Sequence, residues 1–364
     1  MKVRQLNGQS AYATFANVAK DVYRNNPYYR ATDGSIEKMI LCSKSSFSNH
    51  AEIKMFIVED GNDLVARFVL IHDKYLPDYV QVSFFEAQEG LGDIFSLIKN
   101  EARAHFPHIK KIIVGLNAHL NYGAGILLNR FDEVPLFGLP YTPSYYPQYF
   151  SQLHCRKMVT FRFDMDAYRN WAHGYFAQRP IKGLTVRFMD KRRIKSESAI
   201  YTQLNNKAFV KHPFWANRDE SEDLELFAPF RFFLDNENLI IAEIDGEPVG
   251  FYLWYPDFNQ LVKNNSDLNA WHLLKYRAGI GKAIDTFRFT EIGILPKYQG
   301  TSVAYALIDK SLPTLTKQGF SFCEGGFIFE ENRASIAFVK RILKRCYGKD
   351  PEPYRQFAVY ETSL

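Results

Sequence analysis

The pattern that most constrains this chain is a pair of apolar-rich runs broken by Asp-Gly, and it occurs twice. Met55 to Ile71 reads as two strands around Asp60-Gly61, and Leu239 to Tyr255 as two strands around Asp245-Gly246. A tight turn of this kind needs positive φ, which Gly supplies cheaply, so Asp-Gly between such runs is a strong hairpin signal. The segments after the two hairpins also match in outline. A strand comes next (Tyr79 to Phe85; Phe287 to Leu295), then a helix (Leu91 to Phe106; Ser302 to Lys317), then another strand (Lys110 to Leu116; Phe320 to Phe329). Two copies of one α/β unit is the organising expectation. The order is not a pure βαβ alternation, so each copy should be a mixed, mostly antiparallel sheet flanked by helices, not a doubly wound parallel sheet.

A length of 364 residues agrees with two domains, expected over residues 1–150 and 151–364. The 46% apolar share, with 31 Phe and 22 Tyr, suits packed sheets and excludes a disordered chain. Between the copies, the three prolines of Leu139-Pro140-Tyr141-Thr142-Pro143-Ser144-Tyr145-Tyr146-Pro147 forbid a helix interior and favour an extended, aromatic-studded connection that ties the halves together. Helices from Lys191 to Phe209 and from Glu220 to Leu234 precede the second hairpin, where they could cover one side of an acceptor cleft.

The net charge of +5 is spread along the chain. Its densest basic runs, Lys191-Arg192-Arg193 and Lys340 through Arg345, are short and helix-like, so no nucleic-acid partner is expected. Cys42, Cys155, Cys323 and Cys346 form no paired spacing, and the nine histidines show none either, so neither a metal nor a disulfide framework is indicated. The start of the chain lacks the apolar run of a signal peptide, and no stretch approaches the ~18–20 apolar residues of a membrane span. The expectation is a cytoplasmic protein with reduced thiols and no membrane partner; its oligomeric state is not legible in the residues.

The segment richest in chemistry begins with the strand Phe287 to Leu295, stops at Pro296 and runs through Lys297-Tyr298 into Gln299-Gly300-Thr301-Ser302-Val303-Ala304. A helix follows at once. Such a turn leaves backbone N–H groups converging on one point, and the helix dipole makes that point attractive to a pyrophosphate. Gly300, Ser302 and Ala304 are small enough to admit phosphates, and Lys297 adds positive charge. An ordinary strand-to-helix turn would also carry small residues.

These residues resemble the pyrophosphate-binding motif of the GCN5-related N-acetyltransferase (GNAT) superfamily, Gln/Arg-x-x-Gly-x-Gly/Ala, matched here by Gln299, Ser302 and Ala304, with Ser in place of the usual Gly. Glu330-Glu331-Asn332-Arg333-Ala334-Ser335-Ile336 is similar to the start of that family's fourth helix, where Asn commonly approaches the CoA arm. Asn332 would serve equally well as a plain helix N-cap. The whole chain is also similar to a group of long bacterial acetyltransferase-like proteins, through Tyr23-Arg24-Asn25-Asn26-Pro27, Asn117 through Pro147 and the Leu239 hairpin. The resemblance implies two tandem acyl-CoA N-acyltransferase-like domains. It implies acetyl-CoA or another acyl-CoA as co-substrate, held by the backbone of Ile292, Gly293 and Ile294 and by Gln299, Gly300, Thr301, Ser302, Val303, Ala304 and Asn332. The corresponding turn of the first copy, Phe85 to Asp93, misses the spacing, and Glu86, Glu89 and Asp93 would repel a pyrophosphate there. The N-terminal copy is therefore expected to be degenerate for CoA.

Transfer of an acyl group to an amine needs an ordered donor, a polarised carbonyl and a base for the ammonium. Glu291 is the candidate base, with an exposed strand carboxylate as its plain alternative. Many family members place a tyrosine seven residues after the fourth-helix Asn as acid for the leaving thiol. Val339 stands there, and Tyr347 is the nearest later candidate, though packing would also explain it. The leading function is an acyl-CoA-dependent N-acyltransferase acting on a small-molecule or peptide amine. The alternatives are a non-catalytic ligand-binding protein that kept the fold, and a tRNA-dependent aminoacyl transferase of the peptidoglycan cross-bridge type. No Gly-x-Ser-x-Gly elbow or Walker loop is present to support a hydrolase or nucleotide phosphatase.

Overall fold

The computed structural model describes every residue except 32–33, 43, 173–179, 231–233, 265 and 282. The chain divides into two compact units, one of Met1–Met158, Val262–Leu268 and Arg355–Leu364, the other of Val159–Leu261 and Asn269–Tyr354. The division is not a single cut, because the first unit takes its last strand from the end of the chain.

Unit 1 runs β1 (Lys2–Leu6), α1 (Tyr12–Val22), α2 (Gly34–Leu41), β2 (Ala51–Asp60), β3 (Asp63–Asp73), β4 (Tyr79–Ala87), α3 (Ile94–His105), β5 (Lys111–Val114), β6 (Ile126–Leu127) and α4 (Tyr146–Tyr149). Strand β7 (His154–Asp164) leads into unit 2, which continues with α5 (Met165–Ala172), β8 (Leu184–Phe188), α6 (Ile194–Ala208), α7 (Glu220–Phe230), β9 (Leu239–Ile244), β10 (Glu247–Pro256), α8 (Ala270–Arg277), β11 (Thr286–Ile294), α9 (Val303–Gln318), β12 (Phe322–Phe329) and α10 (Arg333–Tyr347). Strand β13 (Gln356–Ser363) returns to unit 1. The last positions of the helix expected to reach Leu234, 231–233, lie outside the described residues.

The two units repeat one strand order, β1-β2-β3-β4-β5-β13 in unit 1 and β8-β9-β10-β11-β12-β7 in unit 2. Successive pairs are antiparallel through β4 and through β11, while β4–β5 and β11–β12 are parallel. The tandem α/β architecture expected from the twin hairpins is the one observed. In unit 2 the turn is Asp245-Gly246, both at positive φ, between the paired Ile244 and Glu247. In unit 1 it falls one residue later, on Gly61-Asn62 between the paired Asp60 and Asp63.

Each core lies between the sheet and its helices. In unit 1 Ile94 and Ile98 of α3 join one core cluster with Phe56, Phe68, Phe85 and Ile112 of the strands, and in unit 2 Tyr201 and Leu204 of α6 and Phe227 of α7 join another with Ile241, Phe251 and Leu253. Tyr146 and Phe150 also belong to the unit 1 core. The proline-tyrosine segment thus turns its aromatic end into unit 1. A bulge interrupts each sheet near its middle, between Arg67 and Val69 on β3 opposite β4, and between Leu253 and Trp254 on β10 opposite β11. Bulges re-aim the side chains beside them. The first pair on the hairpin side is Arg67 with Glu86 in one unit and Leu253 with Glu291 in the other.

Candidate active site

Strand β11 loses one neighbour halfway along. It pairs with β12 only from Thr286–Phe322 to Phe289–Gly325, yet stays paired with β10 as far as Ile294–Gly250. Beyond Phe289, the edge of β11 that faced β12 therefore has no strand partner among the described residues, and it carries Glu291, Ile292, Gly293 and Ile294. Two glycines shape this point. A Cβ on Gly326 would stand 2.4 Å from the Thr290 carbonyl oxygen, and one on Gly293 would lie 2.3 Å from the Phe251 ring. Phe251 can consequently lie against the strand and meet Tyr201 edge-on, with centroids 4.9 Å apart.

Glu291 shares with Gly293 the face of β11 that looks toward α6. Its Oε1 accepts a hydrogen bond from the Tyr201 hydroxyl, and its Oε2 accepts one from Asn205 Nδ2 at 3.3 Å. Tyr201 and Asn205 stand one helical turn apart on α6 and so reach the same carboxylate. Behind them, a fully buried Arg218–Asp223 ion pair at 2.7 Å is joined by Thr202, whose hydroxyl donates to Asp223 at 2.7 Å. Burial raises the Glu291 carboxyl to about 7; nearby Asp223 adds to the rise, while the bonds from Tyr201 and Asn205 and the Arg218 charge oppose it. Burial, followed by the negative field of Glu291, pushes the Tyr201 hydroxyl well above its ordinary value, so it remains a donor.

The α6–α7 connection adds an aromatic wall. Phe209 lies 5.3 Å from Trp215 and 6.4 Å from Phe251, and Phe214 and His212 lie 6.1 and 5.0 Å from Phe329 at the end of β12. Burial lowers the His212 pKa, which favours the neutral ring. Sequence reasoning missed Tyr201, Asn205 and this wall. The available signal was a polar pair, Tyr201 and Asn205, on the inward stripe that also carries Leu204.

After β11, Pro296–Tyr298 form a short 3₁₀ turn, and Gln299 Nε2 donates back to the Ile294 carbonyl at 3.0 Å, tying the loop to the strand end. Gly300 has φ +77°, and a Cβ there would meet open space. The Thr301 hydroxyl donates to the Tyr298 carbonyl at 2.6 Å. Ser302 is the N-cap of α9 with φ −79°, a conformation any residue adopts, so Ser in place of Gly introduces no backbone strain; its side chain makes no capping bond. Val303 and Ala304 begin the helix.

The remaining candidates lie at the two ends of α10. Asn332 is its N-cap, with the side-chain oxygen accepting from the Ser335 amide at 3.1 Å. Tyr347 ends the helix, about 20 Å away along a 15-residue axis. Its hydroxyl donates to Asp164 at 2.7 Å and accepts from the Asp164 amide at 2.8 Å. Burial, then the bond to Asp164, raises Tyr347 to about 12.

Unit 1 presents the same position differently. Glu86 accepts from Tyr23 at 2.7 Å and from Tyr146 at 2.6 Å, with Arg67 at 3.9 Å. The backbone beyond it is occupied: Ala87 N–H donates to the Tyr146 oxygen at 2.8 Å, Tyr145 donates to the Ala87 carbonyl at 2.8 Å, and Tyr149 donates to the Gln88 carbonyl. The N-cap of α3 is Asp93, whose carboxylate accepts from the Ser96 amide at 3.1 Å.

Residues 201–343 match the acetyltransferase (GNAT) family by sequence. Over 87% of its length this chain is 23% identical to a protein of Caulobacter vibrioides described as a bacterial ceramide synthase, and over 89% it is 21% identical to protein YghO of Escherichia coli K12; 85% of each relative is covered. Among solved structures, a tandem GNAT protein from the clavulanic acid biosynthesis pathway superposes with a TM-score of 0.52 at 11% identity, covering 100% of this chain and 98% of that one. A GCN5-related N-acetyltransferase from Sphaerobacter thermophilus gives 0.50 at 12% identity, covering 100% and 95%. These structural likenesses establish the fold of two acetyltransferase-like units in one chain.

Proposed function

We propose that this chain, a tandem protein of the GCN5-related N-acetyltransferase superfamily, transfers an acyl group from acyl-CoA to a primary amine in unit 2. The observation that carries the reading is Glu291: a carboxylate titrating near neutrality at the point where β11 parts from β12.

The residues present fit acyl-CoA. The edge at Ile292, Gly293 and Ile294, which no described strand pairs and where the Ile294 carbonyl accepts from Gln299, can bond an extended amide-bearing arm as a strand would. Gly300 leaves open space, and the N-cap Ser302 makes no side-chain capping bond, while the Val303 amide makes a long 3.4 Å bond to the Thr301 hydroxyl oxygen, so the turn from Gln299 to Ala304 suits a pyrophosphate. Lys297 is exposed beside it. Asn332 is the proposed contact from α10, through the part of its amide not used in capping. Acyl-CoA supplies the acyl group as an activated thioester.

Glu291 removes the ammonium proton. With a pKa near 7 it is about half ionised at neutral pH, the condition that best combines a free carboxylate with adequate basicity. Tyr201 and Asn205 fix its two oxygens. The proton gained balances the one the departing thiol requires. Tyr347 acts as an anchor of α10 on Asp164, consistent with its distance from the start of that helix. The aromatic wall of Phe209, Phe214, Trp215 and Phe329 favours an acceptor or acyl chain with a long apolar tail, as does the relative described as a ceramide synthase. Val339, standing where a catalytic tyrosine is common, keeps a non-catalytic binding protein as the second reading.

Calorimetry with acetyl-CoA and palmitoyl-CoA, followed by thiol release over amines from ethanolamine to sphinganine, tests both readings. Gly300→Glu should weaken acyl-CoA binding by at least ~100-fold through like charge at the pyrophosphate, whereas Gly300→Asn, which tolerates positive φ, should bind. Unchanged affinity in a folded Gly300→Glu protein would sink the site assignment, and binding without turnover over the whole amine series would favour the second reading.

A further inference from the structure

Helix α8, in the connection between β10 and β11, is built firmly at both ends and apolar on its outside. Asn269 caps it by accepting from the amides of Trp271 and His272, and His272 completes a reciprocal capping box. At the other end, Gly279 N–H bonds the Tyr276 carbonyl and Ile280 N–H bonds the Lys275 carbonyl at 2.9 Å, with Gly279 at φ +66°. This Schellman arrangement folds Ile280 back beside the last turn. On the inner side Leu273 is 4% exposed, Tyr276 meets Phe258 edge-on at 6.0 Å, and Arg277 is tied to Asp235 at 2.8 Å. On the outer side Trp271 is 63% exposed, Leu274 55% and Ile280 61%. Positions 271, 274, 275 and 278 form one helical stripe. Lys275 belongs to it, with its ammonium 5.0 Å from the centre of the Trp271 ring.

A tethered helix that turns Trp, Leu and Ile to solvent has an unmet partner. The charges around it say which one. From Asn269 to Gly281 the chain has no acidic residue; Arg277 is neutralised by Asp235, and Lys275, on the exposed stripe itself, is the cation presented to a partner, within a protein of net charge +5. A tryptophan with lysine beside it, over a leucine and an isoleucine, is the composition of a helix that lies in a lipid headgroup layer: the ring sits at the boundary and the ammonium snorkels to phosphate. No described helix is long and apolar enough to cross a membrane, so contact by this helix would be interfacial.

We propose that α8 and Ile280 dock unit 2 on an anionic bilayer surface, with Trp271, Leu274 and Ile280 entering the interface and Lys275 meeting lipid phosphate. Docking of this kind is independent of acyl transfer. Full-length protein is mixed with vesicles of phosphatidylcholine and phosphatidylglycerol, or of phosphatidylcholine alone, and sedimented. Stronger binding to the anionic vesicles, weakened by salt, is expected. The double variant Trp271→Glu, Leu274→Glu should lose at least ~10-fold in partitioning with an unchanged melting temperature, because both residues are exposed. Bromine-labelled acyl chains should quench wild-type tryptophan fluorescence and quench Trp271→Phe much less, while that variant still sediments. Equal partitioning of wild type and the double variant overturns the proposal, as does quenching that persists in Trp271→Phe. So does a dimer in sedimentation velocity that the double variant abolishes while no vesicle binding occurs, which would make the stripe a self-association face.

Discussion

Glu86 and Glu291 stand at corresponding points of the two sheets, each in the first cross-strand pair beyond a bulge, and burial raises each carboxyl to about 7. Around Glu86 the surroundings are closed. Tyr23 and Tyr146 share one of its oxygens, Arg67 stands 3.9 Å from the other, and the backbone beyond bonds to Tyr145, Tyr146 and Tyr149. Around Glu291 the strand edge is open, the cross-strand partner is Leu253 instead of an arginine, and the helix start beyond lacks the carboxylate that Asp93 supplies in unit 1. A perturbed carboxylate is therefore a poor guide to chemistry by itself. What separates the two positions is whether the chain has already used the backbone hydrogen bonds beside it.

The sharpest test of that difference is the matched pair Glu291→Gln and Glu86→Gln. In an active enzyme the first should lower kcat by roughly 10²–10⁴-fold with acyl-CoA affinity retained, and the second should leave kcat within about twofold. Equal losses would mean that both glutamates act structurally. Tyr146→Phe comes next. It leaves the buried Ala87 amide without its acceptor, a cost of about 1–3 kcal/mol, and removes one of the two tyrosine donors to Glu86, with Tyr23 remaining. Melting should fall by several degrees, at roughly 2–4 °C per kcal/mol, with turnover unaffected. A melting point equal to wild type would show that the tyrosine plug is not what closes unit 1. The smallest effect expected is that of Tyr201→Phe. The Tyr201 bond favours the charged form of Glu291, so its loss raises that carboxyl further above 7, and the acidic limb of the kcat/KM profile should move up by up to ~1 pH unit. Turnover at pH 7 would fall several-fold and recover at higher pH; a profile that stays in place would separate Glu291 from the titrating step.

The hairpins, the strand-to-helix turns and the repeated order were legible because they are local: Gly at positive φ, Pro at a strand end and small residues at a helix start act within a few positions. Glu291 could be named from its strand and from the chemistry required beside it. Its partners could not, since Tyr201 lies 90 residues away and Asn205 86. Leu139 to Pro147 read as extended and aromatic; its first part has no helix or strand, but Tyr146 and Pro147 open α4, where a proline in the first turn lacks only an N–H the helix does not use, and nothing local indicated that Tyr145 and Tyr146 bond the backbone after Glu86, 58 to 60 residues upstream. The outward stripe of α8 is not legible locally either, because an eight-residue helix with Leu273 buried and Leu274 exposed does not reveal from spacing which of its sides meets solvent. Likewise, no local feature of β13 reveals that it pairs with β5.

That last pairing has a consequence for how the protein is made. Tyr360 to Ser363 complete the sheet of unit 1 against Val114 to Lys111, and Phe357 and Ala358 pair with Leu127 and Ile126. At 5–20 residues per second, the ribosome must translate for on the order of 10–50 s after β6 before these partners exist. During that interval β5 presents an open edge, the kind that invites pairing with another chain. Unit 2 has no such wait, because β7, the neighbour of β12, is synthesised before it. The order of assembly is thus expected to run opposite to the order of synthesis, and a cut after residue 354 would injure the unit at the other end of the sequence.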